Sequence, residues 1–215
     1  MNRQELWGYI DHTLLKATAT WDDISKICKE AIENKAASAC IPPCFVKRAK
    51  EAFGDELNIC TVVGFPLGYT TTGIKVEEAR QAINDGAGEI DMVINLGDVK
   101  AGSFDAITSE ILSVRNVSRG KILKVIIETC YLSEYEKTML CSCVKNGGAD
   151  FIKTSTGFGT GGAALEDVKL FARLIGSSVK IKASGGISSL DGLLSFINAG
   201  AARIGTSRAM DILKK

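Results

Sequence analysis

Two lysines carry the first chemical signal in this 215-residue chain: Lys153, in DFIKTSTGF (residues 150–158), and Lys182, in VKIKASGG (residues 179–186). Each stands near the end of a short apolar run. An ammonium drawn into an apolar strand loses hydration, so it either finds a partner or gives up its proton. The neutral amine is a nucleophile. Two such groups close together disfavour each other's charge and leave one free to form a Schiff base with a carbonyl compound. Taken singly, either lysine reads more simply as a strand-end residue snorkelling to solvent. The elements that position them decide between the two readings.

Those elements show themselves as a repeat. Asn-x-Gly-Ala-x-x-Ile occurs at residues 84–90, 146–152 and 198–204, and a degenerate copy runs from Asn34 through Ala36 and Ala37 to Cys40. Each copy follows an amphipathic segment, puts its small residue where a helix would end in a left-handed conformation, and leads into an apolar run. The copies lie 50 to 62 residues apart, about twice the length of one strand-helix unit. Further apolar runs at residues 9–15, 59–63, 122–127 and 179–181 fill the gaps. Eight strands result, near residues 9, 39, 60, 90, 124, 151, 180 and 203.

Helices are visible between them. Thr20 with Asp23 caps a stripe of Ile24, Ile27, Cys28 and Ala31, and Ser133 with Glu136 forms a capping box. Stripes of Val76, Ala79, Ala82 and Ile83, and of Leu190, Leu193, Leu194 and Ile197, stop at Gly86 and Gly200. Eight strands alternating with helices close most economically into a single-domain (β/α)₈ TIM barrel spanning residues 1–215. The rival, an open doubly wound sheet, calls for a Gly-rich fingerprint after the first strand, and none follows residues 9–15.

Composition excludes several function classes. With 26 Lys plus Arg against 25 Asp plus Glu, bulk charge draws in neither nucleic acid nor an anionic membrane. The first fifteen residues carry Glu5 and Asp11 and lack a secretory profile, and the charge-free stretch 57–74 is broken by Gly64, Pro66 and Gly68. A soluble, cytoplasmic protein is expected. Seven scattered cysteines, an odd count, fit a reducing compartment, and neither Cys40 with Cys44 nor Cys141 with Cys143 has zinc-site spacing. The sole histidine, His12, rules out a cluster of imidazole ligands and reads as a packed or capping residue.

The repeat also aligns side chains. The residue after the repeated apolar position is Ile41, Asp91, Lys153 and Gly205 in the four copies, and on alternate strands of a barrel these would share one interior layer. Asp91 and Lys153 would then face the same space, with Lys182 on the next strand about 4.8 Å away. A structural ion pair is the bland reading of Asp91 with Lys153. A third ionisable group leaves excess positive charge, relieved by loss of a proton. Lys180 has the same strand parity as Lys182, and periodicity does not choose between them. Ser184-Gly185-Gly186 and Gly205-Thr206-Ser207 follow the last two strands, where barrels frequently hold a phosphate, and Thr154-Ser155-Thr156 could add hydroxyl donors.

At this point DHTLL from Asp11, TVVGFPLG from Thr61, EIDMVIN from Glu89, KVIIETC from Lys124, DFIKTSTGF from Asp150, KASGG from Lys182 and RIGTS from Arg203 together resemble deoxyribose-phosphate aldolases. The resemblance implies a class I aldolase that reversibly cleaves 2-deoxy-D-ribose 5-phosphate to acetaldehyde and D-glyceraldehyde 3-phosphate, without cofactor or metal. It selects Lys182 over Lys180. It further implies Lys153 as the Schiff-base residue, Lys182 as the group that lowers its proton affinity, Asp91 in proton transfer, Asp11 as a polar residue lining the site, and Gly185, Gly186, Gly205 and Ser207 as the phosphate grip. Partners are a small phosphorylated sugar and a small aldehyde; self-association into a homo-oligomer stays open. Some members end in a tail with a terminal tyrosine, whereas this sequence reads Lys214-Lys215 at its end. The alternatives are a Schiff-base aldolase or isomerase for another phosphosugar, and a non-catalytic phosphosugar-binding barrel.

Overall fold

The apolar runs become eight parallel strands: β1 (Ile10–Thr13), β2 (Ser38–Ile41), β3 (Ile59–Val63), β4 (Glu89–Val93), β5 (Ile122–Ile126), β6 (Phe151–Lys153), β7 (Lys180–Ser184) and β8 (Arg203–Thr206). They pair in sequence order, and β8 closes on β1. This is the (β/α)₈ barrel expected, in one domain. The computed structural model describes residues 1–213; Lys214 and Lys215, where the departure from a tyrosine-ended tail falls, lie outside the described residues.

Helices surround the strands: α1 (Arg3–Trp7), α2 (Trp21–Glu33), α3 (Val46–Phe53), α4 (Thr72–Asn84), α5 (Leu96–Lys100), α6 (Phe104–Val117), α7 (Glu134–Asn146), α8 (Leu165–Ile175), α9 (Leu190–Asn198) and α10 (Ala209–Leu213). The capping boxes read at Thr20 with Asp23 and at Ser133 with Glu136 open α2 and α7. Ile107, Ile111 and Val114 of α6, Leu140 and Val144 of α7, and Val168 and Phe171 of α8 join Ile90, Met92, Leu123, Val125 and Ile152 in one core cluster between sheet and helices. Each such side chain contributes about 2 kcal/mol through burial. Lys75 of α4 is buried against Glu110 of α6 at 2.8 Å and donates to the Val93 carbonyl at 2.8 Å, pinning the end of β4. Among the described residues no helix is long and apolar enough to cross a membrane.

The repeat corresponds to a left-handed helix stop. Gly86, Gly148 and Gly200 have φ of 112°, 74° and 113°. The following alanine in each copy, Ala87, Ala149 or Ala201, donates its N–H to a carbonyl five residues back, on Ala82, Val144 or Phe196. This is the Schellman pattern. In the degenerate copy the left-handed residue is Lys35, with φ 54°, and Ala36 donates to Ala31. Lys35 comes one residue after Asn34, whereas each glycine comes two residues after its asparagine.

That one-residue difference corrects the interior layer. Five residues beyond Gly86, Gly148 and Gly200 stand Asp91, Lys153 and Gly205; five beyond Lys35 stands Cys40. Strand register gives the same result. Asp91 lies opposite Lys124 and Lys124 opposite Phe151, so Lys153 is two residues further up. The same step leads from Lys153 to Gly205, from Gly205 to Cys40, and from Cys40 back to Asp91. Four steps of two residues make the shear of eight characteristic of this barrel. Ile41, expected inside, belongs instead to the outer core cluster. By the same counting, Asp11, Cys60, Lys124 and Lys182 form the layer of the odd strands, and Ser38, Glu89, Phe151 and Arg203 lie beneath.

Candidate active site

A barrel interior is commonly filled with Val, Ile and Leu. Here it is filled with charge. Asp91 is fully buried and accepts from three lysines: Lys124 at 2.8 Å on Oδ1, and Lys153 and Lys182 at 2.7 and 2.6 Å, both on Oδ2. The two ammonium groups are therefore no further apart than two hydrogen bonds through one oxygen. Lys182 also reaches Asp11 at 2.5 Å, and Lys124 reaches Glu89 at 2.5 Å. Arg203 closes the network from below, at 2.5 Å from Asp11 and 3.0 Å from Glu89. Ser38 donates to Asp11 at 2.7 Å, and the Cys60 thiol lies 3.3 Å from Asp91.

The balance of these groups sets their protonation. Burial opposes ionisation of Asp91, but Lys124, Lys153 and Lys182 outweigh it and hold the carboxyl well below its ordinary range. Asp11 is lowered in the same way, by Lys182, Lys124 and Arg203 against burial. Burial also works against the charge of Lys182, yet Asp11 and Asp91 prevail and keep it protonated beyond the usual lysine range; Lys124 is held charged chiefly by Asp91. Four cations thus face three carboxylates. Asp91 is thereby held as an ionised carboxylate among its lysine neighbours.

Stability should follow these shifts. Carboxyls with folded-state pKa values below the unfolded value of about 3.9 add stability that is complete above that pH and vanishes as pH falls toward the folded values. Denaturant midpoints of the wild type should be flat near neutrality and fall below about pH 4. Asp11→Asn should be less stable at neutral pH and show a shallower acid limb. An acid limb of unchanged steepness in that variant would contradict the assignment.

Above the network opens a cavity of about 450 Å³. Of the three interior lysines, Lys153 alone lines it; Lys124 and Lys182 are buried beneath. Gly185, Gly186, Gly205 and Ser207 line it, with Thr156, Gly157 and Phe158 on the facing loop and Lys16 and Arg208 among its walls. Gly205 has a steric reason to lack a side chain: a Cβ would sit 3.2 Å from Lys182 Cε. Thr154 is a correction. Expected to meet the ligand, it is fully buried, and its hydroxyl is engaged by the Ser184 backbone at 3.1 and 3.2 Å. It ties β6 to β7, and Thr156 takes the place at the cavity wall.

Lys180, which shares the parity of Lys182, stands two residues nearer the strand entrance, is exposed, and lies 5.8 Å over the Phe151 ring. His12 points away from the network, paired with Glu30 at 2.8 Å and edge-on to Trp7. The sequence reading missed Lys124, Glu89 and Arg203. A signal existed for two of them: Glu89 is two residues from Asp91 on one strand, hence on the same face, and Lys124 interrupts an otherwise aliphatic run.

A closed barrel whose lysine-rich interior opens at the C-terminal ends of its strands has the residue types that Schiff-base chemistry requires. Residues 7–213 match the model of the DeoC/LacD family aldolases, and the chain belongs to that family, an aldehyde-lyase. The chain is 59% identical over its full length, and 97% of the relative, to the deoxyribose-phosphate aldolase of Clostridium botulinum (strain Alaska E43 / Type E3). It is 55% identical to that of Clostridioides difficile (strain 630), over 95% of this chain and 94% of the relative. Among solved structures, an aldolase called QR15 superposes with a TM-score of 0.94 at 38% identity, covering 98% of this chain and 95% of that one. A deoxyribose phosphate aldolase from Aeropyrum pernix, described as tetrameric, superposes at 0.93 with 31% identity, covering 99% and 91%.

Proposed function

We propose that this chain reversibly cleaves 2-deoxy-D-ribose 5-phosphate to D-glyceraldehyde 3-phosphate and acetaldehyde through a Schiff base on Lys153. The observation that carries the reading is that Lys153 alone among the interior lysines meets the cavity, while Lys182 lies beside it between Asp11 and Asp91, which favour its charged form. The full-length relatives that bear the substrate's name support the substrate.

The chemistry follows from the positions. The Lys153 amine adds to the C1 aldehyde of the open-chain sugar, and loss of water from the carbinolamine leaves a protonated imine. The C3 hydroxyl gives up its proton as the C2–C3 bond breaks; the electron pair moves into the imine to form an enamine, and glyceraldehyde 3-phosphate departs. The enamine takes a proton at C2, and water releases acetaldehyde and restores the amine. Asp91, 2.7 Å from Lys153, moves protons at the nitrogen and, through water, at the hydroxyls. Lys16 and Arg208 supply positive charge beside Gly185, Gly186 and Ser207, where the phosphate would rest. The tetramer described for the Aeropyrum pernix relative supports self-association here too.

The test is chemical trapping. Incubation with acetaldehyde or deoxyribose 5-phosphate, then borohydride, should leave a stable adduct that peptide mass spectrometry maps to Lys153; an adduct on Lys182 or Lys124 instead would overturn the assignment. Lys182→Met should still trap, but at higher pH. Without the fixed charge next to it, the Lys153 ammonium shares the anionic Asp91 with Lys124 alone and parts with its proton less readily. A trapping profile that stays in place, or moves to lower pH, would show that Lys182 does not act through charge.

A further inference from the structure

The turn after β5 contains a glutamate in a conformation that side chains with a Cβ avoid. Glu128 has φ 52° and ψ 66°, in the left-handed region where Gly or Asn is the easy occupant. It is buried. Both oxygens face the loop after β6: Oε1 and Oε2 accept the Thr156 N–H at 3.1 and 3.2 Å, and Oε2 also accepts the Thr156 hydroxyl. Thr156 Oγ1 in turn accepts the Phe158 N–H at 3.0 Å. One strained residue therefore anchors Thr156 directly and Phe158 through it.

The same loop is tied on its other side to the turn expected to hold phosphate. Ser184 Oγ donates to the Ser155 carbonyl at 2.6 Å, and the Ala163 N–H donates to the Gly185 carbonyl at 3.1 Å. Gly162 lies so near Gly185 that a Cβ would collide with its carbonyl. Residues 156–163 are thus held between Glu128 and the Gly185-Gly186 turn, and Thr156, Gly157 and Gly185 face the cavity.

We infer that Glu128 is a positioning residue that fixes the loop wall opposite the Gly185-Gly186 turn, setting the width of the phosphate end of the cavity without touching the substrate. The inference rests on the reading of that cavity as a phosphosugar site. A carboxylate suits the task because Thr156 presents two donors. An amide would offer one acceptor oxygen and set its NH₂ against a donor.

Steady-state kinetics with 2-deoxyribose 5-phosphate and with unphosphorylated 2-deoxyribose test this. Glu128→Gln should raise KM for the phosphorylated sugar about tenfold with kcat little changed, and should leave kcat/KM for the unphosphorylated sugar within about twofold. The double variant Glu128→Gln/Thr156→Val should lose no more in KM for the phosphorylated sugar than Thr156→Val does alone, because both remove the same bond. Equal losses on both sugars, an unchanged KM for the phosphorylated one, or independent addition of the two singles would overturn the inference. If Glu128→Gln does not fold, Glu128→Asp, which keeps the charge but draws the oxygens back from Thr156, should give the same rise in KM for the phosphorylated sugar. Trapping with acetaldehyde separates the two levels: a wild type that forms no adduct at Lys153 refutes the site reading itself. A wild type that traps while Glu128→Gln keeps its KM refutes only the role of Glu128.

Discussion

Asp91→Asn should lower kcat for deoxyribose phosphate cleavage about a thousandfold and leave the protein less stable by about 3–5 kcal/mol. Both effects come from one carboxylate. Asp91 accepts three ammonium groups and a thiol. An asparagine offers a single acceptor oxygen and turns an NH₂ toward cations that are already buried. Four positive groups would then face two carboxylates, with the lysines and carboxylates of the network buried from solvent. Activity falls because protons at the Lys153 nitrogen lose their nearest acceptor, 2.7 Å away. Turnover assays with denaturant titrations at pH 7 measure both quantities; a variant as stable as the wild type would show that Asp91 does not hold the network together.

Lys153→Met should lose turnover and borohydride trapping altogether while gaining stability. Lys153 reaches the network through Asp91 Oδ2 alone, and Asp91 keeps Lys124 and Lys182 when it goes. Three cations then balance three carboxylates, and an apolar chain of similar length fills the space. A rise of a few degrees in Tm, about 2–4 °C per kcal/mol for a chain of this size, beside abolished activity is the expected pair of results. A destabilised Lys153→Met, or residual adduct formation elsewhere in the interior, would count against the view that this lysine is kept for chemistry at the expense of stability.

Much of this site was legible in residue types and spacing. The strands lie close to where the apolar runs place them, because parallel strands buried on both faces leave continuous aliphatic segments. Asp91, Lys153 and Lys182 were identifiable as charges embedded in such segments. The error at Ile41 has a definite origin: the degenerate copy was aligned on Asn34, but the geometry is counted from the left-handed residue, and Lys35 takes that conformation with no glycine to mark it. Thr154 was misplaced because its neighbour Thr156 has the same chemistry, and only the backbone path after β6 decides which hydroxyl turns inward. Arg203 sits at the entrance to β8, where a cation ordinarily reads as solvent-facing. Glu128 gave no signal, since nothing in its type announces a positive φ.

The constant interval between the left-handed residue and the interior side chain works as a ruler. Five residues separate Gly86 from Asp91, Gly148 from Lys153, Gly200 from Gly205 and Lys35 from Cys40. Because facing alternates along a strand, adding or deleting one residue inside any of these intervals would exchange the inward and outward sets, bringing Ile152 in place of Lys153, for instance. Length changes on the N-terminal side of the stop leave the interval intact. Changes of helix length before the stop therefore leave the interior facing intact, while the length of these four short stretches fixes which side chains enter the barrel.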